Sequence, residues 1–224
     1  MVSMIQSIAM KRRHSKRAFL DQPIEQALIH SALTEASQAP SSKNTQPWEV
    51  AIVTGATKQA LSDVICTKFD QGIADGADYT YSPDPLPDEW RTRARACGYA
   101  LFDLKGIARN DRDARQAHAR ENFTFFGAPM VMIFHTVSTA QNGTFLDMGC
   151  FLQTVMLELS ERGLGSCPQF SVATYADTIR DALKLSSDRL IVCGLSVGYP
   201  DETASVNTFI PERLSVDDFT TTYD

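Results

Sequence analysis

Apolar residues recur along the chain in two periods. Ile24, Ala27, Leu28, Ser31 and Ala32 fall at helical spacing after Asp21 and Pro23, which suit an N-cap and a first helical position. A helix from about 21 to Ser37 is predicted. Before it, Ile5, Ile8 and Ala9 mark a short helix from Ser3 to about Lys11, and 18–20 reads as a short extended piece. Trp48–Val53 has strand character. Ala60, Leu61, Val64 and Ile65 place one face of a helix over Thr57–Phe69. Further helices are predicted at Glu89–Leu104 and from Asp111 to about Phe123. Met130–His135 is apolar enough for a buried strand. Phe145, Met148, Leu152, Val155, Met156 and Leu159 form a wide stripe on a helix to Arg162, with Gly163 as its left-handed stop. A helix at Ala173–Leu185, a buried strand at Leu190–Val197 and an extended tail from Pro200 complete the pattern. Long helices with a few separated strands predict an α+β fold with a small mixed, mostly antiparallel sheet.

Residues 70–88 break the pattern. Gly72, Gly76, Pro83, Pro85 and Pro87 alternate with aspartates and with Tyr79 and Tyr81. This stretch reads as a mobile insertion within a single domain spanning 1–224. It is placed to cover a substrate pocket, where its tyrosines would stack on a ring or serve as plain packing.

With 224 residues, 43% of them hydrophobic and 21% charged, the chain is an ordinary globular protein able to bury a core without staples. Its net charge of −6 argues against general nucleic-acid binding. Five cysteines at wide spacing, with no Cys-x-x-Cys pair, read as reduced cytoplasmic thiols rather than zinc ligands or disulfides. No signal peptide and no run long enough to span a bilayer is read, so neither membrane nor nucleic acid is an expected partner.

Against that acidic background, five of the 21 Lys and Arg residues crowd into Lys11–Arg17. Arginine forks match phosphate oxygens, and Ser15 can add a hydrogen bond. Taken alone, the cluster reads more readily as a solvated basic face. The loop from Pro40 to Trp48 offers Ser41, Ser42, Asn44 and Gln46 to a polar ligand, or is simply a capped turn. Gly163-Leu164-Gly165-Ser166-Cys167-Pro168-Gln169-Phe170 reads as a helix stop and turn whose backbone can approach a planar ligand. Cys167 has no assigned base and reads as a packed thiol; the scattered His14, His30, His118 and His135 suggest no metal site. There is no Gly-x-Gly-x-x-Gly, no P-loop and no Gly-x-Ser-x-Gly elbow.

In this order the segments resemble the FMN-dependent nitroreductase family. The matches are Arg13-His14-Ser15-Lys16-Arg17, Pro40–Trp48, Gly163-Leu164-Gly165 with Pro168, Gly198-Tyr199-Pro200, and Arg213 near the C-terminus. Gly127-Ala128-Pro129 and Cys167-Pro168-Gln169 are most similar to the branch that includes nitrobenzoate reductases. The resemblance implies an intertwined homodimer with two FMN sites at its interface. Arg13, Ser15 and Arg213 would hold the phosphate, with His14 adjacent and Arg17 at the flavin N1/O2 edge. Pro40, Ser41, Ser42 and Asn44 would reach in from the partner chain, and Pro168, Gln169 and Phe170 would face the flavin N5. Lys11, Arg12 and Lys16 are left as solvated charges. The implied reaction takes a hydride from NADPH or NADH and delivers it, by a ping-pong cycle, to a small aromatic acceptor such as a nitroaromatic or quinone. The alternatives to that reading are a flavin reductase or a reductive dehalogenase on the same fold, or a non-enzymatic flavin-binding protein.

Overall fold

The computed structural model describes residue 10 and residues 12–224, so the helix expected at Ser3–Lys11 lies outside the described residues. Helix α1 is Gln26–Ala36, followed by strand β1 (Glu49–Thr54) and helix α2 (Gly55–Asp70). Helices α3 (Asp88–Leu104) and α4 (Arg112–Arg120) come next, then strand β2 (Met130–Val137) and the long helix α5 (Asn142–Glu161). Strand β3 (Gly165–Gln169), helix α6 (Ala176–Leu183) and strand β4 (Arg189–Gly198) precede the tail. The sheet order is β1-β2-β4-β3, and every neighbouring pair is antiparallel rather than mixed.

The apolar runs of β2 and β4 are central strands, buried on both faces. Alternation along β2 divides the core in two. Met130, Met132 and Phe134 pack with Ile29 and Ala32 of α1 and with Met148, Phe151, Val155 and Leu159 of α5. Val131 and Ile133 face the opposite layer, against Leu61 and Ile65 of α2 and Ile179 of α6. Trp48 lies flat on Phe151, ring centroids 4.5 Å apart.

Three predicted boundaries shift. Helix α1 begins at Gln26, not near Asp21, because 18–20 is held extended: Leu20 N donates to Tyr199 O at 2.9 Å, and Asp201 N donates to Ala18 O at 3.1 Å. Helix α4 ends at Arg120 and α6 starts at Ala176, each shorter than its apolar pattern. Helix α5 ends where expected. Gly163 takes φ +75°, and Leu164 N reaches back to Leu159 O at 2.9 Å, the 6→1 bond of a Schellman stop.

Strand β3 replaces the expected turn after Gly163. It pairs with β4 from Gly165–Gly198 to Gln169–Gly194. Pro168 is tolerated because β3 is the last strand of the sheet and needs no ladder donor on its outer side.

The proline-rich stretch after Asp70 is tied down at its first half. Asp75 accepts from Lys68 Nζ at 2.6 Å and Thr178 N at 2.8 Å. Asp78 accepts from Arg180 and from Ile191 N at 2.9 Å. A bulge between Phe134 and His135 skips Val192 in the β2–β4 register, and Tyr79 donates its hydroxyl to the Val192 carbonyl at 2.7 Å.

Candidate functional site

The basic cluster lies on an extended arm alongside β3. Ser15 bridges Ser166 in parallel, Lys16 N donates to Ser166 O at 3.0 Å, and Phe19 bridges Pro200. Glycines on the sheet make room for it. A Cβ on Gly165 would stand 2.8 Å from Lys16 Cγ, and one on Gly198 would stand 2.8 Å from Phe19 Cδ1 and Pro129 Cδ. The close neighbour that Gly165 admits in this chain is therefore the arm.

Because the arm is extended, its side chains alternate. Arg13, Ser15 and Arg17 all bear on the Cys167 thiol. His14 and Lys16 point the other way, to Asn207. Both His14 ring nitrogens are engaged: Nδ1 lies 2.9 Å from Arg12 O and Nε2 lies 2.8 Å from Asn207 O. Lys16 is not the solvated charge expected. It is 8% exposed, ion-paired with Glu202 at 3.2 Å and bonded to Asn207 O at 3.4 Å. Arg12 is exposed, and Lys11 lies outside the described residues.

Asn207, 2% exposed, locks the arm in place. Its Oδ1 accepts from Arg17 N at 2.7 Å, and its Nδ2 donates to Ala18 O at 2.7 Å and Asp201 O at 2.9 Å. Its position in the tail marks it in the sequence as a polar residue only; its role appears once 200–208 folds back.

The tail also brings Arg213 to Arg13. Burial, and then the neighbouring Arg213 charge, push the Arg13 guanidinium below its usual range, with Cys167 opposing. Among the described residues neither Arg13 nor Arg17 is ion-paired with a carboxylate, whereas Arg120, Arg162, Arg180 and Arg189 all are. Cys167 is buried, and burial pushes its thiol up although Arg17, Ser15 and Arg13 oppose. That suits a packed thiol. Arg17 also faces His118, which is held below its usual value by burial, then Lys105, with Glu121 opposing and Arg17 adding to the effect. His118 was not singled out in the sequence as a neighbour of the arm, because nothing in spacing relates α4 to residue 17.

At the far end of β3, Gln169 is 2% exposed. Its side chain donates to Asn122 O and accepts from Ser196 Oγ, so it anchors the strand end. Pro168 and Phe170 are half-buried. Phe170 stacks on Tyr81, centroids 4.4 Å apart, beside a cavity of about 580 Å³ walled by Tyr79, Phe134, Phe145 and Met148.

The loop 40–47 is elsewhere. Pro40, Ser42 and Asn44 are exposed and Ser41 is half-buried. Lys43, Asn44 and Gln46 all have positive φ, and Gln46 N donates to Ser41 Oγ at 3.0 Å. Ser42 N donates to the Asp147 carboxylate at 3.2 Å, near the start of α5. The arm shares a depression with Ser160 at the end of that helix. Thirteen residues of helix separate the two points by roughly 20 Å. One chain therefore brings together Arg13, Ser15, Arg17, Arg213 and β3, but leaves Ser41, Ser42 and Asn44 apart.

Among the described residues no group of His, Cys, Asp and Glu is arranged to hold a metal ion, and no helix is long and apolar enough to cross a membrane.

A basic arm laid along the edge strand of a four-stranded antiparallel sheet, with the half-buried Arg13 near the charge of the exposed Arg213, defines an α+β protein with a cationic site suited to an anion. The profile of the Nitroreductase family matches residues 10–199, and the chain belongs to that family of oxidoreductases. It is 40% identical over 208 residues to a 4-nitrobenzoate reductase of Pseudomonas putida, covering 93% of this chain and 91% of that one. Its structure is similar to that of the FMN and NADPH-dependent nitroreductase NfnB from Sphigopyxis sp. strain HMH. The TM-score is 0.95 at 37% identity, covering 98% of this chain and 99% of that one. It is also similar to FMN-dependent nitroreductase NfnB from Mycobacterium smegmatis in complex with NADPH, with a TM-score of 0.95 at 30% identity and 100% coverage of both chains.

Proposed function

We propose that this chain is an FMN-dependent NAD(P)H oxidoreductase that reduces nitroaromatic or quinone-like acceptors by a ping-pong cycle. The observation that carries the reading is the meeting of Arg13 and Arg213. Two like charges brought together, one of them half-buried and without a carboxylate partner, are unfavourable unless an anion joins them. A phosphate monoester fits that donor set, with Ser15 on the same side of the arm. The likeness to FMN and NADPH-dependent nitroreductases supports FMN as that monoester and NAD(P)H as the reductant.

When bound, FMN supplies the centre that accepts a hydride and passes it on. The chain supplies placement and charge. Arg13 and Arg213 would hold the phosphate, and Ser15 would donate to it. Arg17, on the same side of the arm and pinned through its backbone by Asn207, would lie at the ring edge that gains negative charge on reduction, where a fixed cation would favour the reduced form. Pro168, Gln169 and Phe170 close the end of β3, with the Gln169 side chain held so that the backbone stays in place. The Phe170–Tyr81 stack offers an aromatic wall for a flat acceptor. Donor and acceptor use one open position in turn, so no acid–base pair is required of the chain.

The roughly 20 Å between the arm and the Ser41–Asn44 loop supports a homodimer in which the loop of one protomer completes the site of its partner. The exposed apolar side chains Leu146, Val216, Phe219 and Tyr223 fit such an interface, with the end of the tail from Val216 onward lying across the partner. Five free cysteines fit a reducing, cytoplasmic setting.

The test is steady-state oxidation of NADPH with 4-nitrobenzoate as acceptor, alongside Arg17→Ala. The wild type is expected to give parallel double-reciprocal lines, and the variant a lower flavin reduction potential. Converging lines would rule out the ping-pong order, and an unchanged potential would remove Arg17 from the ring edge.

A further inference from the structure

A second groove, with an arginine at either end, lies beside the phosphate arm. Helix α3 sets Arg93, Ala96, Cys97 and Ala100, at intervals of three and four, along one wall. The tail residues 209–214 form the other, and the enclosed volume is about 530 Å³. Arg213 lines this groove and also bears on Arg13, so the groove opens from the proposed cofactor phosphate. Arg93 is exposed and has no carboxylate partner among the described residues, whereas Arg91, one half-turn back, is paired with Asp88. Between the two arginines the walls are mostly apolar, with Ala96, Ala100, Ile210 and Leu214, and Glu212 is the one carboxylate among the lining residues.

Small apolar walls with a guanidinium at the rim suit a flat base and ribose carrying one phosphate monoester. An arginine fork meets such a group through two oxygens, a geometry that a ribose hydroxyl lacks. We propose that the groove between α3 and the tail takes the 2′-phosphoadenosine end of NADPH, and that Arg93 makes the enzyme prefer NADPH to NADH. The inference rests on the reading of the chain as a NAD(P)H oxidoreductase and assigns the residue that selects its reductant.

Arg95 provides an internal control. It lies about 200° further round the helix, is exposed, and does not line the groove. Arg93→Ala and Arg95→Ala remove the same charge from the same helix. The FMN-loaded proteins are compared in KM for NADPH and for NADH, and in calorimetric binding of 2′,5′-ADP, which carries the 2′-phosphate without the nicotinamide. Loss of a charge-assisted contact is expected to raise the KM for NADPH roughly ten- to a hundredfold in Arg93→Ala, leaving kcat and the KM for NADH unchanged. Binding of 2′,5′-ADP should be lost in Arg93→Ala and kept in Arg95→Ala. Equal losses in the two variants would reduce the effect to general surface charge and overturn the proposal. Equal weakening of NADPH and NADH would overturn it too. Loss of FMN from Arg93→Ala would assign the residue to the cofactor phosphate instead. A wild type that oxidises neither nucleotide would sink the underlying function, while its 2′,5′-ADP binding would still report on the groove.

Discussion

Replacing Asn207 tests whether the tail truly sets the arm. The side chain makes three buried hydrogen bonds, to Arg17 N, Ala18 O and Asp201 O, all between 2.7 and 2.9 Å. At about 1 kcal/mol net for each, Asn207→Ala should cost about 3 kcal/mol, and more if the Arg17 N–H is left without water. Asn207→Asp keeps the acceptor for Arg17 N but turns a carboxylate oxygen toward two carbonyls. It should remain down by about 2 kcal/mol or more, for the two lost bonds alone. The assay is urea unfolding of the flavin-free protein at one fixed concentration, so that neither cofactor nor subunit mass action enters the comparison. Both variants should also bind FMN more weakly, because Arg17 and Ala18 lose their anchor. Changes within about 0.5 kcal/mol in both variants would show that the arm holds its place without Asn207, and would refute the reasoning.

Arg13→Ala should weaken FMN binding roughly ten- to a hundredfold, the worth of a charge-assisted contact; a variant that purifies fully loaded would take Arg13 off the phosphate. Gly198→Ala forces a methyl to within 2.8 Å of Phe19 and Pro129 and should destabilise the fold by about 1–3 kcal/mol in urea, with no loss if the arm simply lifts away. His118 and His135 are both held below the usual histidine range, in each case chiefly by burial. The unfolded chain then takes up protons near pH 6.5 that the folded chain refuses. Stability is full above that pH and should fall as the pH drops from 8 to 5.5. Replacing His135 by Gln should shrink the fall, and stability that rises on acidification would contradict the sign.

Much of the architecture was legible because its determinants are local. The stripe of α5 and the apolar runs of β2 and β4 each encode burial directly, on one face of a helix or on both faces of a strand. Strand β3 carries no such mark. Gly165, Ser166, Pro168 and Gln169 have poor strand propensity, and the pairing is imposed by β4 on one side and the arm on the other. The start of α1 moved for the same reason, since the contacts of Ala18 and Leu20 with residues 199 and 201 outweigh a good capping signal at Asp21. Within the site, the odd-numbered residues of the arm could be read as a set once the segment was known to be extended. Lys16 could not, because its burial depends on Glu202 and Asn207, far away in the chain. The Ser41–Asn44 loop stays apart from the arm in a single chain, tied instead to Asp147.

The most direct measurement is the cofactor itself. The protein purified from an expression host is denatured, and the released chromophore is identified and counted by chromatography. The expected chromophore is FMN, close to one per chain, bleached in the native protein when NADPH is added without air. A colourless preparation that takes up no added FMN, or one that releases FAD, would contradict it.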